Sequence, residues 1–320
     1  MKTRIIAFLL ILIVSAVSFT GCGTSLPPMA DNGKVNIVCT TFAVYDWINE
    51  IVGDNSQSFE VNLLSGGGDI HSYQPSAADI AKIHTSDLLV YIGGQSDVWV
   101  EKLLDGESKN VLRLFDVNKE MLLVTDMHQH SHEHSHEHSH SGEEYDEHIW
   151  LSLKIAERSV EAICDAVVLL DTENADRYRE NANNYCEKLA LLNEEYKAAV
   201  ENSADKTVIF ADRFPFAYML KDYGIEYIAA FPGCSSDTNA GFETVIKLAE
   251  EMNRLQKKTV LVLENSNQTI ADAVISAAAV ADARPAVMDS CQAIGGKMAQ
   301  KADYLNIMKE NLKALKMALD

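Results

Sequence analysis

Residues 172–202 read TENADRYRENANNYCEKLALLNEEYKAAVEN, and this stretch decides the fold. Leu189, Leu192, Tyr196 and Val200 recur at steps of three and four, the spacing of one helix face. Thr172, followed by Glu173 and Asn174, is a suitable start signal. A single helix of roughly 28 residues spans about 40 Å at 1.5 Å per residue, unusually long for a helix inside one lobe. Residues 172–203 are therefore expected to be a rigid connector between two lobes, and 320 residues suffice for two lobes of ordinary size.

On both sides of the connector, strands alternate with helices. Upstream, residues 35–40 (VNIVCT), 59–64, 87–93 (DLLVYIG), 111–115 and 122–125 read as strands, and 42–52, 76–84, 98–104 and 152–170 as helices. Downstream, 207–211 (TVIFA), 226–231, 259–264 (TVLVLE) and 286–288 read as strands, and 214–223, 242–255, 269–280 and 303–319 as helices. The continuous apolar runs are of the kind buried inside parallel sheets. The expected class is α/β: two lobes, 34–171 and 204–320, each with a central, mostly parallel sheet flanked by helices.

The N-terminus bears on compartment. Lys2 and Arg4 precede a fifteen-residue apolar run, 5–19, the length of a signal peptide and too short for a comfortable membrane span. The run ends in Phe19-Thr20-Gly21-Cys22, which resembles a bacterial lipobox with Phe in place of the preferred Leu. Residues 1–21 are read as a lipoprotein signal and Cys22 as the lipidated residue. Residues 22–33 then form a flexible tether, and the anchor holds an extracytoplasmic body at a membrane surface, periplasmic or facing the medium. With 27 basic against 47 acidic side chains the formal charge is −20, and the absence of a basic patch disfavours nucleic acid. Cys164 and Cys186 fall in helical patterns as small hydrophobes, whereas Cys234 and Cys291 both follow strands, so a disulfide between them stays open.

Residues 127–150, MHQHSHEHSHEHSHSGEEYDEHIW, hold eight of the ten histidines. Imidazole and carboxylate are metal ligands, and a run this polar cannot build a packed core. Residues 127–147 are expected to be a disordered loop in which His128, His130, His132, His134, His136, His138 and His140 bind metal weakly. His84 ends a helical stretch and reads as a surface residue. His71 and His148 fall where loops leave the carboxyl ends of strands, the place where open α/β sheets bind ligands.

With these residues in hand the chain resembles the substrate-binding lipoproteins of bacterial zinc and manganese ABC transporters, the cluster 9 family. The matching stretches are the Cys22 lipobox, DIHSYQPSAADI with His71, DLLVYIGG, the His-rich loop, DEHIW with His148, the connecting helix, FPFAYMLKDYG, VLVLENSNQTIA and AVMDS. The resemblance implies a metal cleft between the lobes with His71 and His148 as ligands and Asp289 as a further one. Where the family has another ligand this chain has Arg213, whose guanidinium has no lone pair to give a metal. Glu264 is then expected ahead of Asp212 as the replacement, with Asp289 or Glu264 as a partner for Arg213.

The resemblance further implies zinc as cargo, with manganese the alternative, a permease and its ATPase as partners, a monomeric protein, and limited lobe motion. It implies a binding protein and not an enzyme. An adhesin-type surface lipoprotein and, more remotely, a zinc hydrolase are the competing readings. Against the latter, H-E-x-x-H occurs only as part of the His-rich repeat (132–136 and 136–140), with no helical apolar pattern around it, and G-x-S-x-G is lacking.

Overall fold

The computed structural model describes residues 33–64, 69–104, 110–125, 144–231, 233 and 241–320. Cys22, Cys234 and His128 to His140 lie outside the described residues. The first lobe holds β1 (Val35–Cys39), α1 (Phe42–Val52), β2 (Phe59–Leu63), α2 (Ala77–Thr85), β3 (Leu88–Tyr91), α3 (Val98–Leu104) and β4 (Val111–Arg113). Next come α4 (Leu153–Leu170) and α5 (Ala175–Glu201). The second lobe holds β5 (Thr207–Phe210), α6 (Ala217–Tyr223), β6 (Glu226–Ala229), α7 (Phe242–Leu255), β7 (Thr259–Leu263), α8 (Thr269–Ala277), β8 (Arg284–Met288) and α9 (Tyr304–Leu319).

The two sheets repeat one plan. Their strand orders are β2-β1-β3-β4 and β6-β5-β7-β8, and every pairing is parallel. Helices cover both faces, so β3 (LLVY) and β7 (TVLVL) are buried at every position, which is why they read as unbroken apolar runs. In each sheet the connections diverge between the first and third strands, opening a crevice at the carboxyl ends.

Helix α5 joins the lobes through its buried stripe. Tyr178, Ala182, Tyr185, Leu189, Leu192, Tyr196 and Val200 are buried, a step of three or four residues each time. Its first half meets the first lobe: Asn181 Nδ2 donates to Ile51 O at 2.9 Å, and Tyr185 Oη donates to Asp46 Oδ2 at 3.0 Å. Its second half meets the second lobe: Tyr196 Oη donates to Met308 O at 2.7 Å, and its ring stacks on Tyr223 with centroids 5.1 Å apart. The expected start at 172 is a 3-10 turn, Thr172–Asn174, before the α-helix proper.

One continuous apolar core runs through the inner sides of both lobes, including Ile37, Trp47, Trp150, Leu189, Phe210, Leu261 and Met308. The outer sheet faces carry separate clusters, one around Val38 and Leu89 and one around Val260 and Met252. The lobes thus share one apolar core.

Two expected strands differ. Residues 114–117 turn into a short helix, so β4 stops at Arg113. Residues 122–125 contribute only an isolated antiparallel bridge, Val124 with Tyr145, flanked by Thr125 N to Glu144 O and Asp146 N to Leu123 O, both 2.8 Å. Cys39, Cys164 and Cys291 are buried free thiols and Cys186 is half-buried. Among the described residues no helix is long and apolar enough to cross a membrane.

Asp46 gives this frame a pH dependence. Burial, against the hydrogen bond from Tyr185, pushes its carboxyl from 3.8 up to about 7. The folded state therefore holds this proton more tightly than the unfolded one. The associated stability is fully present below about pH 4 and is lost as pH rises through about 7. Asp46→Asn keeps an acceptor for Tyr185 and removes the charge. We expect the variant to be more stable than the parent at about pH 8 and to lose that advantage at about pH 4, measured as urea midpoints across the range.

Candidate metal centre

The candidate residues collect beyond the carboxyl ends of the strands. Asp69 and His71 follow β2, Gly94 and Ser96 follow β3, Asp212 and Arg213 follow β5, Glu264 follows β7, and Asp289 follows β8. His71 sits in a 3-10 turn, Ile70–Ser72, capped by Asp69, whose Oδ1 accepts from His71 N at 3.1 Å. His148 does not follow a sheet strand. It comes three residues after the Tyr145 bridge and opens the turn Ile149–Leu151.

His71 and His148 are brought together. Their Nε2 atoms are 3.3 Å apart and their ring centroids 5.3 Å apart, with the planes at 60°. Behind each ring stands a carboxylate. His148 Nδ1 is 2.7 Å from Asp146 Oδ1, which also accepts from His148 N at 2.8 Å. His71 Nδ1 is 3.0 Å from Glu147 Oε1 and 3.1 Å from Ser96 Oγ. The His148 side chain is 5% exposed, that of His71 24%. Burial works against the charge on Glu147, but His71, His148 and Ser96 N outweigh it and hold the carboxyl below its ordinary range.

The carboxylates of the second lobe form another group. Glu264 accepts from Ser290 N at 3.0 Å and Ser290 Oγ at 2.8 Å, while Asp289 Oδ1 accepts from Cys291 N at 2.8 Å. Burial, and then the charge of Asp289, raises Glu264; burial raises Asp289. Both line a cavity of about 840 Å³ with Asp69, Asp212, Arg213 and Ser290, whereas His71 and His148 line a neighbouring opening. Among the described residues no three His, Cys, Asp or Glu side chains are arranged to hold an ion. The two imidazoles are therefore assembled, and Asp289 and Glu264 open onto the adjoining cavity.

Arg213 reaches across to Asp69, Nη1 to Oδ2 at 2.5 Å, so the partner it takes there is an acid of the first lobe. Asp212 turns back on its own lobe, accepting from Arg213 N at 2.8 Å and Leu263 N at 3.4 Å. His84 is exposed at the end of α2, as expected of a surface residue.

The segment carrying His148 is fastened to the second lobe. Trp150 Nε1 donates to Ser290 O at 2.9 Å, Tyr304 Oη donates to Trp150 O, and Tyr218 Oη donates to Asp146 O at 2.8 Å. Asp146, Glu147 and Ser96 went unrecognised in the sequence. The first two look like more of the acids interleaved with the His run, yet Glu147 is buried and Asp146 half-buried.

Two parallel-sheet lobes sharing a core, with side chains from both converging at the strand ends, define a two-lobed binding protein. Residues 37–318 match the family described as the periplasmic zinc-uptake complex component A, and the chain belongs to that family. It is 29% identical over 291 residues to the zinc-binding lipoprotein AdcA of Streptococcus pneumoniae, covering 90% of this chain and 56% of that protein. The chain thus spans little more than half the length of that relative. It is 28% identical over 288 residues to the high-affinity zinc uptake system protein ZnuA of Bacillus subtilis, covering 89% and 88% of the two. The crystal structure of the Zn(II)-bound ZnuA-like domain of S. pneumoniae AdcA superposes with a TM-score of 0.70 at 27% identity, covering 90% of this chain and 100% of that one.

The bond from Trp150 to Ser290 O tests how firmly the His148 segment is held. Trp150→Phe keeps most of the ring and leaves a buried carbonyl without its donor. A loss of about 1–3 kcal/mol in urea unfolding is expected.

Proposed function

We propose that this protein captures zinc at the centre marked by His71 and His148 and delivers it to a membrane permease driven by a cytosolic ATPase. The observation that carries the reading is the 3.3 Å separation of the two Nε2 atoms. Nitrogens bound to a tetrahedral zinc at about 2.0–2.1 Å lie roughly 3.3–3.4 Å from each other, so the imidazoles already have the bite of a zinc chelate. With Nδ1 of each ring against a carboxylate, Nε2 of each is the nitrogen presented to the ion. The names of the relatives support the same cargo.

Asp289, with Glu264 as its neighbour, is the carboxylate proposed to complete the coordination from the second lobe, ahead of Asp212, with water filling what remains. Arg213 takes no part as a ligand and neutralises Asp69. The His run supplies weaker sites that enrich the ion near the centre. In this reading residues 1–21 are the signal, 22–33 the tether from a lipid anchor at Cys22, 34–171 and 204–320 the lobes and 172–203 their connector, and the protein acts as an extracytoplasmic monomer without catalysis.

Titration calorimetry with zinc and a competing chelator checks the assignment. We expect one tight ion per chain. His71→Ala and His148→Ala should each weaken it by more than about 100-fold, beyond the 10–100-fold typical of residues behind a ligand. Deleting 128–141 should remove the weaker ions and keep the tight one; loss of the tight site with the loop would move the centre into the His run. Parallel titration with manganese decides between the two cargoes.

A further inference from the structure

We infer that Glu147 is a positioning residue for His71: it fixes the ring so that Nε2, and not Nδ1, faces the ion, and the tripeptide Asp146-Glu147-His148 thereby serves both imidazoles. The inference rests on the zinc-capture reading and goes beyond it by assigning a role to a residue outside the ligand set.

A carboxylate only accepts hydrogen bonds, so an imidazole nitrogen 3.0 Å from Glu147 Oε1 carries the ring proton. Ser96 cannot set this alone, because a hydroxyl both donates and accepts. Its Oγ is committed to Glu147 Oε1 at 2.8 Å, and Ser96 N donates to Oε2 at 2.7 Å. Both oxygens of Glu147 are thus held in place, and its side chain is 7% exposed. The proton placed on Nδ1 leaves Nε2 as the donor atom toward His148, 3.3 Å away.

The close approach needs a glycine. A Cβ on Gly94 would lie 2.2 Å from Glu147 Cβ and 2.6 Å from its Oε2, so any larger residue displaces the carboxylate. Sequence order adds a constraint. Asp146 holds His148, its neighbour Glu147 holds His71, and His148 follows directly, so one backbone segment sets the position of both rings.

Glu147→Gln tests the assignment with little change in shape. A carboxamide has one accepting end, so it cannot accept from both Ser96 N and the His71 side. In the full chain the variant should bind zinc about 10–100-fold more weakly in chelator competition. The ring ¹⁵N shifts of His71, identified by difference from His71→Ala, should move from the Nδ1–H pattern toward Nε2–H. The unfolding midpoint should stay within about 2 °C of the parent. Ser96→Ala should shift both readouts the same way and less. Affinity within about threefold of the parent overturns the inference. So does weakened binding with the His71 shifts unmoved, or weakened binding only in step with lost stability. If His71→Ala also leaves zinc binding intact, it is the zinc-capture reading that fails.

Discussion

The site depends on one junction, the bonding of residues 144–152 to both lobes at once. Trp150 donates into the loop after β8, Tyr304 and Tyr218 hold the carbonyls of Trp150 and Asp146, and Glu147 takes the backbone of Ser96 after β3. His148 can face His71 only because this segment is immobilised from both sides. The shared core beneath it makes the junction affordable in entropy: Trp150 is already buried there with Leu189 and Met308. Separating the lobes would expose part of that core, so rigid-body opening between them is opposed by the apolar burial they share.

How much of this the sequence revealed depends on the range of the interactions. Strands buried on both faces announce themselves as runs such as LLVY and TVLVL, and α5 by its period, because each signal is local. The run at 122–125 has similar composition but lacks neighbours to pair with and makes a single bridge. His71 and His148 stood out because histidine is scarce outside the run. Arg213 with Asp69 joins residues 144 positions apart and Trp150 with Ser290 joins residues 140 apart, and neither has a pattern to betray it. Asp146 and Glu147 were hidden differently: as acids beside a run rich in His and Glu, they are indistinguishable by composition from solvated loop.

The acidic composition acquires a local meaning at the strand ends. Asp69 is held below its ordinary range, against burial, by Arg213 and by His71 N, and Glu147 is held down by its own donors. Glu264 and Asp289, by contrast, are both raised, each buried, with the charge of Asp289 adding to the shift at Glu264. In the first lobe Asp69 and Glu147 are thus stabilised in their charged form by fixed protein donors. The second lobe presents two carboxylates whose charged forms burial disfavours, a cost that a bound cation would offset.

The two imidazoles are held by different means, and the difference follows from where their chain segments run. His148 sits in a segment whose backbone carbonyls are bonded to buried tyrosines, and its side chain is nearly inaccessible. His71 sits in one 3-10 turn after β2, is a quarter exposed, and has its ring oriented by side chains, Glu147 and Ser96, with its backbone N–H on Asp69. Backbone anchors to a packed core move only with the core, whereas side-chain contacts yield to single rotamer changes. Of the pair, His148 is the fixed donor, and the geometry of the centre is set by how well three polar side chains restrain His71.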